Sequence, residues 1–213
     1  MRLRLPACLT LLLLLFLPAG LAAQARFTLG VDLGYTISDF SGPDAAGVRH
    51  RTGATAGAYL RTPLGRYLAV QSGLFIASKG GATLVTPAGG GAPVRFDLEL
   101  VYVELPLLLR ARVPFVAGTR LVLTGGAVSG VQIGCNVEFT QNGVSLLREA
   151  CARLSGTTFQ DWDLAWTAGG GIAVPIERSE LALEVRLSQG LRRVSEQSDF
   201  RNRALTFLVS VPF

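Results

Sequence analysis

Lysine is almost missing from this 213-residue chain: Lys79 stands alone against nineteen arginines. Charged residues of all kinds make up only 16% of it, against roughly 25% in an average soluble domain. Three cysteines are too few for a disulfide-dense miniprotein, and two of them with one distant histidine make a poor metal site. The formal charge of +5 falls to +3 once Arg2 and Arg4 leave with an N-terminal leader. That surplus is small and scattered, which argues against nucleic acid as a partner. Beyond the leader no stretch approaches 18 continuous apolar residues, so a helical membrane protein is excluded. What is abundant is apolar residues, at 49%, and glycine, at 25 residues. The first rules out disorder, and the length suits one large β-barrel.

Residues 1–25 read as a cleavable signal peptide, leaving 26–213 as a single domain. Arg2 and Arg4 form the positive start, 7–17 the short apolar core, and Ala23-Gln24-Ala25 the small-residue cleavage site. Cys8 precedes the apolar run instead of following it, against lipidation. The chain is expected to be exported.

In the remainder, apolar and small or polar residues alternate with period 2, the pattern of half-buried strands. Phe27, Leu29, Val31, Leu33, Tyr35 and Ile37 set the first strand, and further strands are expected at 52–62, 67–78, 94–110, 120–134, 161–174, 181–187 and 205–213. The fourth breaks parity: Phe96, Leu98 and Leu100 face opposite to Val101, Val103, Leu105, Leu107 and Leu109. A β-bulge near 100–102 would reconcile its halves. Long connections (39–51, 79–93, 135–160, 189–202) alternate with short ones (63–66, 111–119, 175–179). The expectation is all-β: an eight-stranded antiparallel up-and-down barrel.

The apolar face of such a barrel turns either inward, as in a soluble lipocalin-like carrier of a small apolar ligand, or outward into lipid. The other face is Gly, Ala, Ser and Thr with occasional charges, which suits a narrow lumen better than a soluble exterior. Tyr35, Tyr102, Trp162 and Trp166 lie toward strand ends, where an interfacial aromatic girdle belongs. The chain also closes on an apolar strand ending in Phe213. Together these favour a transmembrane barrel with outer-membrane lipid as its surroundings. Asp32, Arg61, Asp97, Glu99, Glu104, Asp163, Glu184 and Arg186 then become inward charges, which must be paired. They either plug the lumen or line a narrow channel, and a filled eight-stranded lumen favours the plug.

The segments Tyr102-Val-Glu-Leu-Pro106-Leu-Leu, Gly73-Leu-Phe-Ile-Ala-Ser-Lys-Gly80 and Asp163-Leu-Ala-Trp-Thr-Ala-Gly-Gly-Gly171, with the closing Asn202-Arg-Ala-Leu-Thr-Phe-Leu-Val-Ser-Val-Pro-Phe213, resemble the PorT-like ("porin family") outer-membrane β-barrel proteins. The resemblance spans essentially the whole mature chain. It implies a monomeric eight-stranded barrel in a bacterial outer membrane. It also implies that the last strand, with Phe207, Val209, Val211 and Phe213, is the signal read by the barrel-assembly machinery. The family's roles are diverse and it supplies no catalytic motif.

Cys135 and Cys151 flank the longest loop, and in an oxidising compartment a disulfide should close it. His50 shares the first loop with Ser41 and Asp44, a set some outer-membrane lipid-modifying enzymes would need, but loops are commonly rich in such residues. Gly89-Gly90-Gly91 lacks the lysine and strand–helix context of a phosphate cradle. Arg192, Arg193, Arg201 and Arg203 form a basic cluster that either is solvated or meets anionic lipid sugar-phosphate. The sequence therefore points to a non-enzymatic structural or interaction barrel without cofactor, whose long loops meet a protein or surface ligand.

Overall fold

The computed structural model describes residues 27–86, 89, 91–151, 160–176, 179–195 and 199–213. The expected signal peptide lies outside the described residues, as does part of the glycine run at 89–91.

The alternating sequence forms one antiparallel sheet of β1 (Thr28–Ser41), β2 (Arg51–Pro63), β3 (Leu68–Val85), β4 (Val94–Pro114), β5 (Arg120–Gln141), β6 (Val144–Ala150), β7 (Trp162–Ile176), β8 (Ser179–Gly190) and β9 (Arg201–Pro212). Neighbours in sequence pair from β1 to β5; β5 then pairs β7, β7 pairs β8, β8 pairs β9, and β9 returns to β1. Those eight strands close on themselves, so every barrel edge is hydrogen-bonded. The ninth, β6, lies outside the circuit on the far end of β5. A plain loop over 135–160 is thus corrected: β5 runs on to Gln141 and turns into β6 through Asn142-Gly143. Both turn residues have positive φ, 53° and 80°, the conformation that favours Asn-Gly in two-residue hairpins. The expected loop over 79–93 is likewise shorter, since β3 continues to Val85.

Parity sorts the barrel wall. Leu29, Leu33, Leu60, Leu74, Ile76, Leu105, Leu107, Leu123, Ile172, Leu183 and Val209 all stand exposed on the outer face. Along β1 the outward apolar run is Leu29 to Ile37; at about 3.3 Å per residue and a tilt near 40° it makes a band roughly 20–25 Å tall. The outward positions of all eight strands at this level carry no Asp, Glu, Lys or Arg.

The fourth strand corrects the expected bulge. β4 keeps one parity: Leu98, Leu100, Tyr102, Leu108 and Arg110 are all buried. The register shifts where Val101 pairs Gly134 and Tyr102 pairs Gln132, so the extra residue, Ile133, is in β5. Above that level Leu98 and Leu100 point inward, whereas Asp97 and Glu99 fall on the outer face, beyond the apolar band. They are therefore not lumen charges. The inward apolar residues join Phe40, Tyr102, Val137, Cys151 and Val194 in one buried cluster, with Ala45, Val48, Phe96, Cys135, Phe139 and Phe200 packed against it. This cluster lies at the long-loop end of the barrel.

Candidate functional site

The lumen holds two ionic groups below the apolar cluster. The lower one is centred on Arg186, whose Nη2 lies 3.4 Å from Asp32 and 3.1 Å from Glu184. Glu184 is also ion-paired with Arg110 and accepts from Thr124 at 3.2 Å. Asp32 accepts from Ser210 and, at 3.5 Å, from Gln71; Gln71 in turn accepts from Arg61 at 3.1 and 3.3 Å. Inward parity on β1, β2, β3, β4, β5, β8 and β9 brings these residues together. Small residues make the room: a Cβ on Gly169 would sit 2.8 Å from Arg186 Cγ, and one on Gly171 2.9 Å from Glu184 Cγ.

The upper group pairs Lys79 with Glu104, while Asn202 donates to Asp163 at 2.8 Å and to the Tyr102 hydroxyl at 3.1 Å. The Lys79 ammonium also lies 5.8 Å from the centre of the Tyr102 ring. Between the two groups remains a cavity of about 50 Å³ bordered by Glu104 and Arg186.

All six residues expected in the lumen network, Asp32, Arg61, Glu104, Asp163, Glu184 and Arg186, face inward. They form two clusters in place of one. Sequence reasoning passed over Lys79, placed in a loop, and Gln71 and Arg110, which strand parity alone would have turned inward. Of the expected girdle, Trp162 and Trp166 are exposed on the outer face, and Trp162 Nε1 donates to Ser129 at 2.7 Å. Tyr35 is exposed but sits mid-strand opposite Phe207. Tyr102 is not part of a girdle: it is 1% exposed and inside the barrel, because β4 keeps its parity through the β5 bulge. At the short-turn end Phe27, Tyr67, Phe115 and Phe213 are exposed aromatics; the sequence reading named Phe27 in the first strand and Phe213 at the end of the last, and did not single out Tyr67 or Phe115. Phe207, Val209 and Val211 line the outer face of β9, and Phe213, just past its end, is exposed.

Cys135 and Cys151 are joined by a disulfide, with Cα atoms 5.4 Å apart, tying β5 to the segment that follows β6. His50 Nδ1 is 3.0 Å from Asp39, Ser41 accepts from Gln189 at 2.7 Å, and Asp44 accepts from the Asp199 amide at 2.6 Å. The three residues that a hydrolytic site would need thus have separate partners. The basic cluster is engaged internally as well: Arg193 and Arg201 pair with Asp199 at 3.2 and 3.4 Å, Arg203 with Asp39 at 2.7 Å, and Arg192 lies 4.6 Å over the Trp162 ring. Outside the apolar band, Glu99 meets Arg51 at 2.9 Å, Arg148 at 3.0 Å and Ser78 at 2.9 Å. Partial burial works to raise its pKa, but the Ser78 hydrogen bond and the two guanidinium charges together hold it below the usual carboxylate range.

A closed antiparallel sheet with an uncharged apolar outer band and ions inside is the architecture of a membrane-spanning barrel. The chain belongs to the outer membrane protein beta-barrel domain family, which it matches over residues 22–196, and it resides in the bacterial outer membrane. That location sets aside the soluble lipocalin-like carrier. Comparison with curated proteins at the level of sequence finds no match. Among solved structures it is similar to Neisserial surface protein A (11% identity, 88% of this chain and 97% of that one, TM-score 0.47). It is similar also to Ail, the attachment invasion locus protein of Yersinia pestis, in complex with the heparin analogue sucrose octasulfate (10%, 88% and 99%, 0.42). A third is the outer membrane protein AlkL (13%, 92% and 95%, 0.37).

Proposed function

We propose that this protein is a monomeric, non-enzymatic outer-membrane barrel of the PorT-like kind, made from a precursor whose residues 1–25 are removed. Its lumen is filled and its work is done at the surface built by the long connections. The observation that carries this reading is the buried apolar cluster around Leu98, Leu100, Tyr102 and Val137, which occupies the long-loop end of the lumen. Below it, a cavity of about 50 Å³ lies between the two ionic groups, room for a few waters, since each needs about 10–15 Å³. Short turns lie on the periplasmic side of such barrels and long loops outside the cell. The first and last long connections, the β5–β6 hairpin and the Cys135–Cys151 bridge therefore present the extracellular face, where a protein or surface ligand would bind. The outer face of β9, ending at Phe213, is the segment offered to the barrel-assembly machinery.

The test is electrical. Purified barrel in planar bilayers should give no sustained conductance step. A steady ohmic step whose ion selectivity changes with Glu104→Gln or Arg186→Gln would establish the narrow channel instead.

A further inference from the structure

Among the described residues, the charges of the short-turn half of the lumen do not balance. Arg61, Arg110, Arg112, Arg120 and Arg186 face inward there, against Asp32, Glu180 and Glu184. Arg61 is the most telling. It is 3% exposed, yet among the described residues its guanidinium is met by the neutral Gln71 oxygen and, at 4.7 Å, by the face of the Tyr59 ring. Among the described residues no carboxylate lies within ion-pair distance of it. A buried cation ordinarily has an anionic partner, because desolvation is otherwise uncompensated.

Arg61 borders an open cavity of about 340 Å³ together with Arg112, Arg120, Thr28, Ser179 and Glu180. Arg112 and Arg120 also wall an adjoining cavity of about 300 Å³ with Arg66 and Tyr67. Glu180 grips both, at 3.1 Å to Arg112 and 2.7 Å to Arg120, so the two forks are held at the mouth by one shared carboxylate. Phe213 lies on the same rim; with a terminal carboxylate there counted as well, and Arg66 included, the cations remain in excess.

We propose that this mouth is a binding site for a multiply charged phosphate, with Arg61 supplying the buried charge and Arg112 and Arg120 the planar forks. Guanidinium groups match phosphate oxygens in paired hydrogen bonds, and hydroxyls such as that of Thr28 suit the remaining oxygens. The inference rests on the barrel reading above for its orientation, which opens the site to the periplasm and the inner leaflet. The phosphate is either free in the periplasm or carried on an anionic phospholipid headgroup.

The experiment is calorimetric titration of the folded full-length mature barrel, in a neutral maltoside detergent at low salt, with inorganic pyrophosphate. One site per chain is expected, weakening as salt is raised. Arg61→Gln should weaken it at least tenfold; if that variant folds poorly, the half-exposed Arg120→Gln should still weaken it several-fold. Glu180→Gln should tighten it, since it removes the competing carboxylate, an effect that a purely structural role would not produce. Arg192→Gln at the opposite end should leave it unchanged. Competition by doped phosphatidylglycerol, without competition by phosphatidylcholine, assigns a lipid-borne phosphate; its absence assigns a free one. No saturable pyrophosphate binding, or binding indifferent to the Arg61, Arg120 and Glu180 changes, overturns the proposal. A boiled-versus-unboiled gel shift of the same sample reports the barrel separately, so a failure here is distinguishable from a failure of the fold.

Discussion

Arg186 sits between two carboxylates, 3.4 Å from Asp32 and 3.1 Å from Glu184, with both acids fully shielded from solvent. Removing the cation leaves the buried Asp32 without an ionic partner and Glu184 with Arg110 alone. Arg186→Met should therefore destabilise the folded barrel by about 3–5 kcal/mol, the range for breaking a buried pair from one side. Chemical unfolding in detergent measures it, and a change under 1 kcal/mol would mean that water reaches the cluster. Gly171 gives a second check at this scale. A Cβ there would lie 2.8 Å from the Glu184 Cα, so Gly171→Val should abolish folding, whereas the outward Gly170→Val should be tolerated. Refolding yield distinguishes the two. Alternation alone made Asp32, Arg61, Asp163, Glu184 and Arg186 legible as inward residues, because their strands have no irregularity. It misassigned Tyr102, Asp97 and Glu99, because Leu98 and Leu100 were read as lipid-facing. An apolar cluster inside the barrel and an apolar band outside it use the same residue types, and parity within one strand does not say which is which.

Among the elements, β5 decides the shape of the long-loop end. Its extra residue, Ile133, turns Cys135 and Val137 toward the interior, and its extension carries β6 clear of the barrel. The Asn142-Gly143 turn was the local signal for that hairpin, and it was hidden by the polar composition around it. The disulfide pins the hairpin's return. In the chain-entropy model, closing a loop of roughly 15 residues contributes on the order of 3 kcal/mol. Cys135→Ser with Cys151→Ser should therefore quicken protease cleavage within the hairpin while the barrel stays folded in detergent. Loss of the barrel itself would give the bridge a larger role. The last strand makes a complementary prediction. Val209 lies on the outer face between Leu33 and Leu183, so Val209→Arg should cost about 2–4 kcal/mol at mid-bilayer depth. The inward Ser210 would not report lipid at all.

At the scale of the molecule, the chain is inverted relative to a soluble barrel: leucines and valines of the outer band face outward without a charge among them, and the ionic groups and a buried apolar cluster are inside. The scarcity of lysine and of surface charge follows from that inversion, as does the long–short alternation of connections. The partner at the loops was not legible, because loop chemistry has no period to read and Arg193, Arg201 and Arg203 are already paired within the chain. Closure and lipid exposure are the claims on which everything else depends, and one gel tests both. Membranes are fractionated, extracted with detergent, and run boiled and unboiled. A closed lipid-facing barrel predicts pelleting with the outer membrane and a clear mobility shift on boiling. A protein released without detergent, running identically in both lanes, would contradict it.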